Sequence, residues 1–480
     1  MNGSKVDLSG VGIVHLGIGA FFRAFGLPQL QQMKQQLSPD DISGWDVVGV
    51  SFRSTGVRDC LAKNNFRYNA VEISGKGRCL EEINILRTVY YLHEQRADVM
   101  RALLSTELKM VTLTVTEKGY CHTIDKESVN WEHPQIKQDL TSPNAPNSVP
   151  GLLILALKLR REMGLPSFAC VSCDNLVGNG RILKKVVIDL AHYFDPDLAN
   201  WIDNNTPFPC SMVDRIVPAI TAEEIVRISE LATWEDPSPV IHEPFRQWII
   251  EDCFGALPRP PLETTGVIYT KDVRPYEEMK LRLLNATHSA IAYLGQLLGK
   301  QTVFEAVQDP LLANFISYLW ELELCPSLEK PPDIKLAEYT QQLMDRYRNP
   351  TLFHKTLQIA MDGSQKLPPR ILAPIRSNLR TNKPIHGLGL VVAAWIMFLV
   401  EKDTNGKVQD ISDPLRDRLL TSIRQNDPVN AILELRIIFG ENLRKNEIFR
   451  ESVQQAYKKM SQFGIEFSLK LYLEDRNQSS

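Results

Sequence analysis

No apolar run in this 480-residue chain is long enough to span a bilayer. The longest, Gly387 to Val400 (GLGLVVAAWIMFLV), reads as a buried helix. The first ten residues, MNGSKVDLSG, lack the basic-then-apolar layout of a secretory leader. An excess of either charge is also missing: 54 basic against 57 acidic side chains leave a net charge of −3. That argues against a nucleic-acid or membrane partner held by bulk charge. Cysteine is sparse, with eight scattered residues, which is not a secreted disulfide framework. Cys170-Val-Ser-Cys173 has CxxC spacing, but no second pair accompanies it, so small buried thiols are the expectation. There is no internal repeat and no low-complexity tract. The cysteine usage points to a reducing, cytoplasmic setting; a small-molecule partner and a monomer or small homo-oligomer are further expectations.

What is present is an α/β pattern followed by a helical one. Gly12–Leu16 (GIVHL), Asp46–Phe52 (DVVGVSF), Lys109–Val115 (KMVTLTV) and Phe168–Cys173 (FACVSC) read as strands. Amphipathic stretches at 97–108, 151–164 and 181–193 alternate with them. Alternation of this kind implies a parallel sheet covered on both faces. A chain this long exceeds one typical core. We therefore expect a dinucleotide-binding α/β domain over residues 1–270 and a mainly helical substrate domain over 271–480. The second carries unbroken helices at 276–299, 309–324, 335–348, 385–401 and 450–463, and ends in a frayed tail at 475–480.

The first strand runs into Gly17-Ile-Gly19-Ala-Phe21-Phe22-Arg23. Two glycines after an N-terminal strand allow a tight turn and let backbone N–H groups approach a pyrophosphate at a helix N-terminus. The third glycine of GxGxxG is absent, and Phe22 stands there. The second strand lacks a closing acid for the ribose; Arg53 stands there and leaves room for a 2′-phosphate, though it reads equally as a solvated cation. Thr116-Glu117-Lys118-Gly119-Tyr120 and Ser172-Cys-Asp174-Asn175 follow later strands, on the side where open α/β sheets bind ligands. Asn175 there is either a donor to a substrate oxygen or part of an Asx turn.

Lys280-Leu-Arg-Leu-Leu-Asn285-Ala-Thr-His288 puts an amine, an amide and an imidazole into a segment that otherwise reads as a buried helix. At about 100° per residue the three share an arc of about 140°. Burial disfavours a charged lysine, and an amine that gains and loses its proton near working pH is a general acid/base. The amide can hold a developing alkoxide oxygen.

Together IVHLGIGAFFRA, LTVTEKGYC, SCDNLVGNG, FPCSMVDRIVPA, EPFRQWIIED, PYEEMKLRLLNATHS and QIAMDGSQKLPPR make the chain resemble the long-chain polyol dehydrogenase family over nearly its whole length. That family includes mannitol 2-dehydrogenases and fructuronate reductases. The resemblance implies a Rossmann-type N-terminal domain, a helical C-terminal domain and an active site between them. It implies that Lys280 is the general acid/base, that Asn175 and Asn285 hold the oxyanion, and that His288 orients substrate. Asp214, Lys366, Arg370 and Gln358 become substrate-side positions. Gly17, Gly19, Phe21, Arg23, Arg53 and Glu117 become cofactor-side positions. The implied cofactor is NAD, with NADP left open by Arg53; no catalytic metal is implied. Phe22 and Phe25 stand where the family commonly reads histidine. Gln358 stands where mannitol dehydrogenases tend to have arginine, and QIAMDGSQKLP resembles the fructuronate reductases. The expected activity is interconversion of D-fructuronate and D-mannonate. The alternatives are a neutral polyol dehydrogenase and a dinucleotide-binding module without turnover.

Overall fold

The computed structural model describes residues 6–38, 44–123, 128–400 and 412–477. The chain divides into two units between Arg274 and Pro275.

The first unit carries strands β1 (Val11–Leu16), β2 (Asp46–Ser51), β3 (Tyr68–Ser74), β4 (Gly77–Ile83), β5 (Leu86–Tyr91), β6 (Met110–Leu113), β7 (Ala169–Ser172), β8 (Ser211–Asp214), β9 (Val240–His242), β10 (Gln247–Glu251) and β11 (Ile268–Thr270). Five of them form a parallel sheet in the order β5-β2-β1-β6-β7. Every residue of β1, β6 and β7 is buried, as expected for strands covered on both faces. Val14, Val48, Val50 and Val111 pack toward the helices Val149–Glu162 and Asn179–Phe194. Ile13, Val47, Met110 and Val171 pack toward the helix Ala20–Gln36. The strand order reverses between β1 and β6, and that switch point is where such sheets open a crevice at their carboxyl ends.

The four expected strands are present, but β6 is shorter than 109–115. The amides of Val115 and Thr116 leave the ladder and donate to the Asp174 carboxylate at 3.0 and 2.8 Å. Two further sheets, β4-β3-β9 and β11-β10-β8, were not anticipated. Of their strands, β9 and β11 are three residues long and β4 (GRCLEEI) is largely exposed, so hydrophobic pattern does not reveal those three.

The second unit is helical, with helices at Leu336–Tyr347, His386–Val400 and Glu447–Phe463 close to the expected ranges. Glu323, fully buried, accepts from the amides of Gly387 and Leu388 at 2.7 and 2.8 Å. It thereby places a carboxylate at the N-terminus of the most apolar helix. Two expected unbroken helices are interrupted. The segment expected over 276–299 is α-helical at Arg274–Met279, a π-turn at Lys280–Asn285, and α-helical again at Ala286–Leu297. The segment expected over 309–324 turns to π geometry at Trp320–Leu324. A third π-turn spans Pro368–Leu372, and the first packs against both others. The final helix, Ile465–Asn477, covers the first part of the expected tail; residues 478–480, and Glu401 at the end of the expected 385–401 helix, lie outside the described residues. No helix among the described residues is long and apolar enough to cross a membrane.

Candidate functional site

In the first unit the crevice is built around Gly17. Its amide donates to the Val50 carbonyl at 2.8 Å, and its φ of +93° is a conformation that favours glycine. A Cβ there would lie 2.2 Å from the Thr114 carbonyl oxygen, so no other residue fits without displacing β6. Gly19 is the N-cap of the helix Ala20–Gln36, with no side chain capping that terminus, and Gly19 and Ala20 are exposed. The helix thus offers uncapped N–H groups to an anion.

His15, fully buried, supports this turn from below. Its Nδ1 lies 2.7 Å from Thr112 Oγ1 and its Nε2 lies 2.9 Å from Thr114 Oγ1. Thr114 gives its only hydroxyl proton to the Gly17 carbonyl at 2.8 Å, so His15 Nε2 must be the donor to Thr114 and Nδ1 the acceptor from Thr112. That arrangement needs a neutral ring, and burial pushes the His15 pKa down to about 3. Phe22 stacks on this ring with centroids 3.5 Å apart and planes 5° apart. Phe25 lies between Phe21 (5.1 Å) and Trp248 (5.3 Å). Both phenylalanines that depart from the family pattern are fully buried on the inner face of the helix.

Arg23 is also inside. Its guanidinium donates to the Ser238 carbonyl (2.6 Å) and hydroxyl (3.0 Å) and lies over the Tyr68 ring, so its bonds are to this unit's own framework. Phe21 is half-buried, whereas Arg53 and Glu117 are exposed at the ends of β2 and β6. Asp174, which the sequence offers only as a member of the Ser172-to-Asn175 loop, has a structural role: besides Val115 and Thr116 it accepts from Tyr120 Oη at 2.8 Å, fixing the loop that carries Glu117. Its neighbour Asn175 is exposed. Asn179, fully buried, ties the end of β7 to β8 through the carbonyls of Asp174 (3.0 Å) and Ser211 (2.8 Å). Asp214 ends β8 and is buried. Arg215 directs its guanidinium to the carbonyls of Ala24 (2.6 Å) and Phe245 (3.1 Å), and burial pushes its pKa down to about 10. Cys170 and Cys173 are buried free thiols whose pKa values burial pushes up.

In the second unit Lys280, Asn285 and His288 are each 8% exposed. The π-turn alters the geometry expected of an unbroken helix. Residues five apart in an i→i+5 turn lie nearly above one another, so Lys280 and Asn285 come closer to one face than the α-helical 140°. A π-turn leaves carbonyls without their usual partners, and here side chains supply them. Thr287 Oγ1 donates to Leu283 O at 2.6 Å, Trp320 Nε1 to the same oxygen at 2.9 Å, and Tyr347 Oη to Leu284 O at 3.2 Å. The Asn285 carbonyl accepts from Arg370 at 3.5 Å.

His288 contacts Tyr347 at 5.0 Å and His354 at 5.2 Å, ring centre to ring centre. Burial first, then the charges of His354, Arg346, Arg370 and Lys280, hold its pKa well below the usual range, so the ring is neutral. Lys366 donates to the Ile359 carbonyl at 3.2 Å and lies 3.9 Å from Asp362; burial, then Arg370, lowers its pKa. Gln358 is exposed on the short helix Thr356–Ala360. The structure therefore groups Lys280, Asn285, His288 and Arg370, with Lys366 alongside. Arg346 and His354 were missed because the basic residue ends an ordinary amphipathic helix and the histidine lies in a loop; neither has a sequence signal.

Two family models cover the chain: the mannitol dehydrogenase Rossmann domain over residues 11–264 and the mannitol dehydrogenase C-terminal domain over 272–461. The chain belongs to the mannitol dehydrogenase family, a family of oxidoreductases acting on secondary alcohols. It is 38% identical to the oxidoreductase YeiQ of Escherichia coli K12, covering 95% of this chain and 93% of that protein. It is 37% identical to the D-mannonate oxidoreductase of the same strain, covering 94% and 93%. Among solved structures, Pseudomonas fluorescens mannitol 2-dehydrogenase, in a ternary complex with NAD and D-mannitol, matches with a TM-score of 0.82 at 32% identity, covering 97% of this chain and 94% of that one.

Proposed function

We propose that this chain is an NAD-dependent reductase that interconverts D-fructuronate and D-mannonate. The observation that carries the reading is the burial of Lys280, Asn285 and His288 together on one interrupted helix. The 37% identity to a D-mannonate oxidoreductase and the glutamine at position 358 support the sugar acid over a neutral polyol. The mannitol 2-dehydrogenase likeness favours a second reading, reduction of fructose.

The residues at the first crevice fit a dinucleotide: Gly17 packs where a Cβ would collide, and the uncapped helix beyond Gly19 suits a pyrophosphate. Gly17, Gly19 and Phe21 would hold it, with Arg53 and Glu117 at the rim. When bound, the nicotinamide supplies the hydride that no side chain can carry. Arg23 acts in this account as a framework residue, through Ser238.

Lys280 donates a proton to the substrate carbonyl oxygen in the reducing direction and takes it back in the oxidising one. The Asn285 amide donates to that oxygen as charge develops; Asn175 joins it through the shared motif Ser172-Cys-Asp-Asn175. His288, neutral, orients the substrate hydroxyls, with Asp214 as a further substrate contact. Lys366 and Arg370 are cations for the substrate carboxylate. Initial rates with NADH and NADPH against fructuronate, tagaturonate, fructose and xylulose test the reading. Fructuronate with NADH should be fastest; faster reduction of fructose would establish the polyol reading instead.

A further inference from the structure

Thr116, just beyond β6, has a φ of 66° and a ψ of 162°. Glycine enters that region freely, whereas a β-branched residue is strained there. Thr116 is exposed, so packing of its side chain does not hold it in place. The backbone is held from inside instead. One carboxylate oxygen of Asp174 accepts the Thr116 amide at 2.8 Å, and the other accepts the Val115 amide at 3.0 Å and Tyr120 Oη at 2.8 Å. The Thr116 carbonyl accepts from Gly119 at 2.9 Å, and a Cβ at Gly119 would meet the Val115 side chain at 2.8 Å. Thr114, at the start of this loop, donates to the Gly17 carbonyl at 2.8 Å, so the strained segment borders the glycine turn of the crevice.

The carboxylate is itself fixed on every side. Asp174 is 8% exposed, and Tyr120 and Ser172 are fully buried. Tyr120 gives its one proton to Asp174, so Ser172 is the donor in the Ser172–Tyr120 bond. Ser172 Oγ in turn accepts from the Asp174 amide at 3.3 Å. The Asp174 carbonyl accepts from Asn179 Nδ2 at 3.0 Å and from the Leu176 amide at 2.9 Å. Burial pushes the carboxyl pKa up, and the three donors pull it down. A carboxylate offers acceptors to all three donors, whereas an amide in its place has a single oxygen to share. One side chain therefore joins two segments at the carboxyl end of the sheet: the loop after β6 that carries exposed Glu117, and the turn after β7 that carries exposed Asn175.

We propose that Asp174 is a positioning residue for both the dinucleotide and the oxyanion donor Asn175. Its carboxylate holds Thr116 in a conformation that a threonine would otherwise leave, which keeps the Glu117 loop clear of the crevice mouth. The same bonds seat the turn that bears Asn175 against that loop. Cofactor rim and oxyanion donor are thus set by a single carboxylate that touches neither ligand. This rests on the dinucleotide reading of the crevice and on Asn175 as an oxyanion donor, and deepens both.

Asp174→Asn in the full-length protein, alone and combined with Thr116→Gly, tests this. NADH affinity is read from quenching of intrinsic fluorescence and kcat from fructuronate reduction. Amide exchange over residues 114–120 is read by mass spectrometry on the nucleotide-free protein. Asp174→Asn should weaken NADH and lower kcat by at least about tenfold each, and should speed exchange at Val115 and Thr116 by at least about tenfold. Adding Thr116→Gly should recover NADH affinity by at least about threefold, because glycine keeps that conformation without the carboxylate. The turnover number should recover less, since the bonds that seat the turn of Asn175 stay broken. A lowered urea midpoint with affinity and exchange unchanged would overturn the proposal, leaving Asp174 a stabilising carboxylate alone. Equal NADH affinity of the single and double variants would overturn it as well. Should Asp174→Asn fail to fold, Tyr120→Phe removes one of the three donors. Exchange and NADH affinity should then move in the same directions by about threefold, and no change in either would overturn the proposal. If the wild type takes up no NADH, the dinucleotide reading fails, and the exchange rates alone decide whether the clamp exists.

Discussion

Trp320 donates its indole N–H to the carbonyl of Leu283 at 2.9 Å, one helical π-turn filling the hydrogen-bond vacancy of another. Tyr347 Oη lies 3.2 Å from the Leu284 carbonyl and 2.7 Å from Thr287 Oγ1, and shares its one proton between these two acceptors because Thr287 donates to Leu283. The interruption between Lys280 and Asn285 is thus held by side chains from two other helices. It brings the two residues onto one face, and the cost of the irregular backbone is offset by these donors.

Removing one of those donors tests the arrangement. Tyr347→Phe leaves a buried carbonyl and the Thr287 hydroxyl with one partner fewer. Urea unfolding should show a loss of about 1–3 kcal/mol, with kcat falling because Asn285 shifts. Unchanged stability and unchanged kcat together would mean the π-turn does not depend on this bond.

The amide has its own signature. Asn285→Ala should lower kcat by about 10²–10³, with KM little changed, since the N–H acts on charge that develops only in the transition state. A rise in KM at constant kcat would make Asn285 a ground-state binder instead. His288→Ala should show the opposite split, KM rising more than kcat falls.

Gly17→Ala adds a Cβ that meets the Thr114 carbonyl at 2.2 Å in a backbone region unfavourable to alanine. Nucleotide binding, followed by quenching of intrinsic fluorescence on adding NADH, should be lost or severely weakened. Wild-type affinity in this variant would remove Gly17 from the cofactor site.

The buried histidines set an acid limit. His15 and His242 have pKa values pushed down to about 3 and about 4, and that of His288 lies well below its usual value. Above about pH 6.5 both folded and unfolded states hold these rings neutral. Below it the unfolded chain binds protons that the folded one refuses, so stability falls as pH drops toward the folded values. The slope is about 1.4 kcal/mol per pH unit for each ring. Urea midpoints should fall between pH 7 and pH 5, and His15→Gln should flatten that slope. A steeper slope in the variant would contradict the neutral His15 inferred from its threonine bonds.

Much of this was legible in the sequence. The strand ending in Gly17-Ile-Gly19 and the Lys280-to-His288 spacing carried both the fold class and the candidate chemistry, because glycine geometry and buried polar groups leave strong local marks. The π-turn at Lys280–Asn285 was not legible. It depends on donors from Trp320, 35 residues or more away, and from Tyr347, beyond the reach of helical periodicity. Arg346 and His354 were hidden for a similar reason, since only tertiary packing brings them to His288. Arg23 illustrates the reverse: its place beside the glycine turn suggested a cofactor contact, whereas its guanidinium bonds to Ser238, far along the chain.

The role of Lys280 as the proton donor and acceptor is tested most directly by Lys280→Ala, with kcat for fructuronate reduction and NADH affinity measured on the same preparation. The account predicts a fall in kcat of at least about 10² with nucleotide affinity unchanged within about twofold. Turnover near the wild-type rate would contradict it.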